Sequence, residues 1–333
     1  MGAIGLLVHR LARDAGGEVV GRPVEHPFTD ATFHPSTPGW GFTATSRYTA
    51  GVAATLRGIG PALVEVHNRP EIALSLARRF PRVALFLHND PQGMRGARTA
   101  AQRATLLQKV DRVITVSAHL RRQFLEGVEG DVTVMPNCID VPERSRKVRE
   151  RLILFVGRVV ADKGADAFVE ACAASLPQLP GWQAEMVGAD RFAPDSPGTD
   201  FTAHIADRAQ QAGVATTGYL SHAAAMERMG RAAIVVVPSR WPEPFGMTAL
   251  EAMAHGAALI CSRRGGLPEV AGNCAVYADP DAPGAIKDAI LALANDPNRR
   301  TALAAAARKR AQTYDTPVAV ARLLALRSEL LAC

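Results

Sequence analysis

With 333 residues, 48% of them hydrophobic, the chain is long enough to bury two cores, which points to two domains. Its five cysteines, Cys138, Cys172, Cys261, Cys274 and Cys333, form no C-x-x-C pair and no metal spacing. That argues against a disulfide framework or structural zinc and for a reducing, cytoplasmic setting. The net charge of +6 arises in residues 1–150, where 20 Lys+Arg face 14 Asp+Glu, while the remainder balances at 18 and 18. A basic first half suits anionic lipid or a phosphorylated acceptor, and without a recognition motif it argues against nucleic acid. No run approaches the roughly 18 apolar residues of a membrane-spanning helix, and no signal-peptide pattern opens the chain.

In chain order, residues 2–13 carry a helical pattern with Ile4, Leu7, Val8 and Leu11 on one face. An open α/β domain is expected to begin with a buried strand and a glycine-rich turn. Neither precedes residue 2, so the first strand of the N-terminal domain is expected to be missing and its sheet left open. Strands are expected at 18–21 and 62–67, with a Pro/Gly-rich stretch over 23–40 and a helix over 44–57 between them. A helix over 71–79 leads to the apolar strand 83–87, which ends in His88-Asn89-Asp90-Pro91. Polar groups at the carboxyl ends of parallel strands face the ligand crevice, which makes His88 a donor to a sugar hydroxyl or phosphate. A structural histidine is the alternative. A helix over 97–109, a strand at 113–116, a helix over 118–125 capped by Ser117 and a strand at 132–135 follow. A basic run, Arg144, Arg146, Lys147, Arg149 and Arg151, marks the domain boundary, giving domains 1–145 and 146–315 and a final helix within 316–333.

The second half opens with a buried strand at 152–156. Gly157-Arg158 stands at its end and Lys163-Gly164 before a helix over 165–175. Two fixed cations beside a glycine turn suit a diphosphate, although two solvated surface cations would read the same way. Strands at 184–187 and 214–219 follow, the latter placing Tyr219 or Leu220 beside a nucleotide base. Residues 234–237 form a continuous β-branched run, typical of a strand buried on both faces of a parallel sheet. After it come a loop with Glu243, Pro244, Phe245 and Gly246, a helix over 247–255 stopped by Gly256, a strand at 259–261, and the turn Gly265-Gly266. Free amides near Gly246 and Met247 at a helix start suit a phosphoryl group. A carboxylate accepts from both hydroxyls of a vicinal diol, which fits Glu251 to a ribose and Glu243 to a hexose. The alternative is one glutamate in a loop and another on a helix surface. Asp279-Pro280-Asp281 has a metal-binding spacing but reads as a turn beside Pro283, and helices over 299–312 and 316–331 complete the chain.

The whole string resembles the donor-site signature of retaining glycosyltransferases of family 4, which have the GT-B fold. Glu243 and Glu251 stand as in that family's E-x7-E motif, the first followed by Pro-Phe-Gly and the second opening Glu-Ala-Met-Ala-x-Gly. Gly157-Arg158 with Lys163-Gly164 resembles Gly-Arg-x4-Lys-Gly, and Pro136-Asn137-Cys138-Ile139-Asp140 resembles Pro-Asn-Gly-Ile-Asp with Cys138 in the glycine's place. Either Asn137 takes the left-handed turn there or the linker is reshaped. The resemblance implies an α/β chain of two Rossmann-like parallel-sheet domains whose last helix returns to the first domain. It also implies transfer of a hexose-type sugar from a nucleoside-diphosphate sugar to a glycan or lipid-linked acceptor, with retention and without a metal ion or other cofactor. In that scheme Gly157, Arg158, Lys163, Phe245, Gly246, Met247 and Glu251 hold the donor, and Glu243, His88, Arg158 and Lys163 act on the transferred sugar or the leaving diphosphate. Cell-envelope or exopolysaccharide synthesis is the expected setting. A nucleotide-sugar epimerase of similar fold is one alternative, which would need acid/base residues that no motif here locates, and a phosphorylase would need a lysine placed for pyridoxal. A non-catalytic nucleotide-sugar binder is the alternative from a different class.

Overall fold

A computed structural model describes residues 3–144, 146, 148–190 and 198–332. Gly2, Lys147 and Cys333, which the sequence reading uses, lie outside these residues. The chain divides into two compact units, Gly2–Cys138 with Thr316–Cys333, and Ile139–Asp315.

In the first unit, α1 (Ala3–Ala15) leads to β1 (Val19–Gly21), β2 (Phe33–Pro35), α2 (Ala44–Ile59), β3 (Val64–His67), α3 (Pro70–Leu76) and β4 (Val83–Leu87). Then come α4 (Ala100–Lys109), β5 (Arg112–Thr115), α5 (Ala118–Leu125) and β6 (Thr133–Val134). Helix starts follow local chemistry: Thr43 and Thr99 close capping boxes, and Ser117 accepts from the Leu120 amide. The strands form two parallel sheets, β1-β2 and β3-β4-β5-β6. β4 is buried along its whole length, as its unbroken apolar sequence requires.

The two sheets leave open edges. The Val64 amide donates to Arg82 and the Asn68 amide to Phe86, so even-numbered peptides of β3 face β4 and those of Glu65 and His67 face away. On β1, the Val19 amide donates to Thr32 and the Gly21 carbonyl accepts from Ser36, which turns the Val20 peptide away from β2. Both open edges border one cavity of about 650 Å³, with Val20, Leu56, Val66, Ile72 and Leu323 among its lining.

The second unit runs β7 (Glu150–Val156), α6 (Ala165–Ser175), β8 (Gln183–Val187), α7 (Asp200–Gln211), β9 (Val214–Gly218), α8 (His222–Arg231) and β10 (Ala232–Val237). It continues with α9 (Met247–Ala254), β11 (Ala258–Cys261), α10 (Leu267–Ala271), β12 (Val276–Tyr277), α11 (Ala285–Asn295) and α12 (Pro297–Ala311). All strands are parallel in one sheet of order β12-β11-β10-β7-β8-β9. Its core packs Ile153, Phe168, Ile205, Ile234, Ile260 and Ile290 from sheet and helices. The last helix, α13 (Thr316–Ala332), belongs to the first unit, where Leu323, Leu326 and Leu330 share a core with Leu7 and Leu11 of α1. Arg327 on α13 makes two bonds to Glu65, at 2.8 and 2.7 Å, and two to the carbonyls of Ala15 and Gly16, tying the end of α1 to β3.

Two parts of the boundary stretch differ from what its composition suggests. Asn68 is the one non-glycine residue with positive φ among the described residues, so neither Asn137 nor Cys138 takes the left-handed turn and the segment is reshaped instead. Cys138 is fully buried, and its carbonyl lies 3.5 Å from Arg10. Arg149 is structural: its guanidinium donates to the carbonyls of Gly230, Ala232 and His255, and burial pulls its pKa down to about 10, with Arg308 and Arg146 adding to the shift.

Candidate functional site

Strand order in the second unit fixes where a ligand has room. From β7 the chain moves outward through β8 and β9, then returns to the other side of β7 to lay down β10, β11 and β12. The β7/β10 boundary is therefore the topological switch point, where the loops leaving the carboxyl ends diverge and open a crevice. The two loops there are those of Gly157–Gly164 and Pro238–Gly246, which hold most of the residues singled out from sequence.

These loops and the one after β11 interlock through glycines. Gly164 has φ 71°, and a β-carbon on it would lie 2.0 Å from the Pro238 carbonyl oxygen. Gly265, with φ 62°, would place one 2.2 Å from the Glu243 carbonyl oxygen. The Gly266 amide donates to that same carbonyl at 2.6 Å. Backbone thus sits directly on backbone, which only glycine permits.

This packing brings together side chains far apart in sequence. Lys163 Nζ lies 2.5 Å from Glu243 Oε1, and Ser239 Oγ donates to the same oxygen at 2.8 Å. Ser239 is in turn held through its carbonyl by the buried Ser262 hydroxyl at 2.6 Å. Glu251, on the second turn of α9, pairs with His222 Nε2 at 3.1 Å, and its carboxylate is mostly buried. Gly246, with φ 110°, caps α9 without a side-chain bond, so the first amides of the helix, beginning at Met247, have no side-chain acceptor at that cap. Gly157 and Arg158 follow β7, with the Gly157 amide donating to Val187. The Phe245 ring is buried and meets the Tyr314 ring edge-on, so it fixes the loop from behind.

His88 belongs to the first unit, at the end of β4. Its ring is buried, its Nε2 lies 2.9 Å from His67 Nδ1, and its own amide donates to the Asn68 side chain at 2.8 Å. Burial lowers its pKa to about 3, with His67 adding to the shift and Asn137 opposing it. Burial likewise lowers His67 to about 4, helped by Arg327. Both imidazoles are neutral at physiological pH, which leaves His88 able to donate or accept without charge.

Asp279 and Asp281 are engaged by arginines. Asp281 accepts from Arg240 at 2.6 Å and Arg264 at 3.1 Å, and Asp279 accepts the Asp281 amide within the turn. No cluster of three or more His, Cys, Asp or Glu suited to a metal ion occurs among the described residues. Sequence reasoning missed His222 and Ser239. Ser221, the N-cap of α8, marks where His222 stands, but its pairing with Glu251 has no local signature.

Comparison with known proteins places the chain in a family. The family described as "Glycosyl transferases group 1" matches residues 140–310, and that described as "Glycosyltransferase Family 4" matches residues 6–143. The glycogen synthase of Mycobacterium tuberculosis (strain CDC 1551 / Oshkosh) is 29% identical over 311 residues, covering 83% of this chain and 72% of that protein. Among solved structures, sucrose-phosphate synthase from Thermosynechococcus elongatus shares the fold with a TM-score of 0.79 at 20% identity, covering 99% of this chain and 94% of its own. Anabaena HepE in complex with UDP and glucose does so with a TM-score of 0.78 at 18% identity, over 98% and 96%. With its switch-point loops inside the matched span and its fold shared over nearly its whole length, the chain belongs to the group 1 glycosyl transferases and is a transferase enzyme of the GT-B fold.

Proposed function

We propose that the protein transfers a hexose from a nucleoside-diphosphate sugar to an acceptor, with retention of configuration and without a metal ion, in the synthesis of a cell-envelope or exopolysaccharide glycan. The carrying observation is the meeting of Lys163 and Glu243, 80 residues apart, at the switch point beside the open start of α9. Lys163, Arg158 and the amides at Gly246 and Met247 supply positive charge where a leaving diphosphate gains negative charge, in place of a cation. Glu251 takes the ribose hydroxyls, with His222 holding its carboxylate, and Glu243 takes the hexose hydroxyls once the donor's phosphates draw Lys163 away. His88, neutral and buried in the first unit, can donate or accept a hydrogen bond without charge. UDP, bound by HepE, is the first donor nucleotide to test. The arginine-rich first half suits a lipid-linked or phosphorylated acceptor and peripheral contact with the inner face of a membrane, and the buried free cysteines Cys138, Cys172 and Cys261 suit the cytoplasm.

A second reading, nucleotide-sugar binding without turnover, is favoured by one feature: the first unit has open edges on β1 and β3, whereas the sheet of the second is continuous. Titration calorimetry with UDP, GDP and ADP tests the donor site, and a transfer assay separates the two readings. Glu251→Ala is expected to weaken nucleotide binding by at least the ~1 kcal/mol of a net hydrogen bond, about fivefold, with the melting temperature nearly unchanged. Unaltered affinity would remove Glu251 from the site.

A further inference from the structure

Outside the switch-point crevice, the first unit displays two aromatic rings that no packing requirement explains. Trp40 is 80% exposed and Phe42 89% exposed, their centroids 5.0 Å apart in an edge-on pair. Rings of this size in a loop ordinarily fold back onto the nearest apolar surface. Here the backbone prevents it. The Gly39 amide donates to the Arg47 carbonyl at 2.9 Å, laying the loop along the first turns of α2. A β-carbon on Gly41 would lie 2.5 Å from Ser46 Oγ and 2.9 Å from the Arg47 amide nitrogen, and one on Gly51 would lie 1.9 Å from the Thr37 carbonyl oxygen. In the run Gly39-Trp40-Gly41-Phe42 the glycines face the helix and the aromatics face solvent. The capping box of Thr43 and Ser46 fixes the junction. The two rings are therefore held outward by a stiff ledge.

The charge along the ledge and α2 themselves has one sign. Residues 31–64 contain no Asp or Glu, and Arg47 and Arg57 are exposed along α2. Arg22 and Arg69 stand over the ring of Tyr48 on the same helix, 5.3 and 5.9 Å from its centroid. The edge-on geometry of the pair presents no single flat face for a sugar ring to stack on. An exposed Trp with an adjacent Phe, on a stretch without carboxylates and rimmed by arginines, of which Arg69 also pairs with Glu71 at 2.9 Å, has instead the chemistry of a bilayer's headgroup boundary: rings enter the acyl edge and guanidinium groups meet lipid phosphates.

We propose that Trp40 and Phe42 form the membrane-entering pair that seats the first unit on an anionic lipid surface. This rests on the peripheral membrane contact proposed above and assigns it to specific side chains, independently of the donor site.

The test is co-sedimentation of the full chain with phosphatidylcholine vesicles and with mixed phosphatidylcholine/phosphatidylglycerol vesicles, for the wild type and for Trp40→Ser/Phe42→Ser. The wild type is expected to partition onto the mixed vesicles. The double variant is expected to bind them about tenfold more weakly, since partial burial of two rings is worth on the order of that factor, with unchanged melting temperature and nucleotide affinity. Tryptophan emission should shift to the blue on the mixed vesicles, and the shift should vanish in Trp40→Phe while binding largely persists. Equal binding by the double variant would overturn the assignment while leaving a purely electrostatic membrane contact standing. Absence of wild-type binding to either vesicle would overturn both, without touching the nucleotide-binding result. A concentration-dependent dimer lost in the double variant, with no vesicle binding, would replace the lipid by a second copy of the chain and so also refute the proposal.

Discussion

The two units are built from the same alternation of parallel strand and helix, yet they differ in continuity. In Ile139–Asp315, six strands share one sheet, and three loops at its carboxyl edge are pressed together backbone to backbone. In the other unit two strands and four strands stand apart, and the polar group singled out there, His88, is buried against a half-buried His67. Donor chemistry needs cations and carboxylates placed within an ångström of their targets, and closely packed glycine loops supply that placement. The first unit combines a looser sheet with desolvated, uncharged imidazoles, an environment for contact and hydrogen bonding and not for charge stabilisation.

The largest expected effect breaks the tight side of this contrast. Gly164→Ala puts a methyl group 2.0 Å from the Pro238 carbonyl, at a φ that alanine disfavours, so neither rotation nor a flexible neighbour relieves the clash. We expect a loss of roughly 3 kcal/mol or more from the second unit's unfolding transition in urea, together with loss of nucleotide binding. Gly58→Ala in α2, with nothing within 4 Å of the added carbon, should instead be neutral or stabilising by up to ~1 kcal/mol. Equal effects would mean that the loops of the second unit have room to relax.

The paired histidines give the next effect. An unfolded imidazole takes a proton near pH 6.5, whereas folded His67 does so near 4 and His88 near 3. Between these values the unfolded state binds more protons, so stability is complete above about pH 6.5 and falls as pH drops toward 4. Each imidazole should cost the first unit roughly 2 kcal/mol between pH 7 and pH 4.5. Denaturant midpoints at both pH values for wild type and His88→Gln would check this; an identical pH dependence in the variant would show that the imidazoles are solvated.

Much of this architecture is legible from residue pattern, for identifiable reasons. Strands buried on both faces, such as β4 and β10, are unbroken apolar runs, and α6 starts after Gly164 and ends ahead of Pro177. The short β2 ends at a proline inside a Pro/Gly-rich stretch and carries no alternation, so nothing local announces it. The helices α7, α8 and α11 also went unread, although Ile286, Ala289, Ile290 and Leu293 of α11 recur at helical spacing and form a buried face. Of the site, residue types and loop positions were readable. Pairings were not, because Lys163 with Glu243 and His222 with Glu251 depend on how loops from different strands meet. The role of Arg149 was hidden for the same reason: in a basic run it resembles a solvated charge, and only the carbonyls converging on it from α8, β10 and the end of α9 make it structural.

The smallest effect sharpens the contrast residue by residue. Among the described residues, peptide groups of Val20, Glu65 and His67 point away from the one strand beside them, while those of Val64 and Val66 are paired within the sheet. Amide hydrogen exchange at the open edges needs only local solvent access, whereas exchange at Val66 requires the β3-β4 ladder to open. We therefore expect Val20, Glu65 and His67 to exchange at least tenfold faster than Val66, a local difference of about 1.4 kcal/mol, while adjacent residues along β7 and β10 show no such alternation. Slow exchange at all four first-unit positions would mean that the edges are closed in solution by something the ladder pattern does not include. The cavity bordered by both edges would then be filled, and the first unit would match the second in continuity.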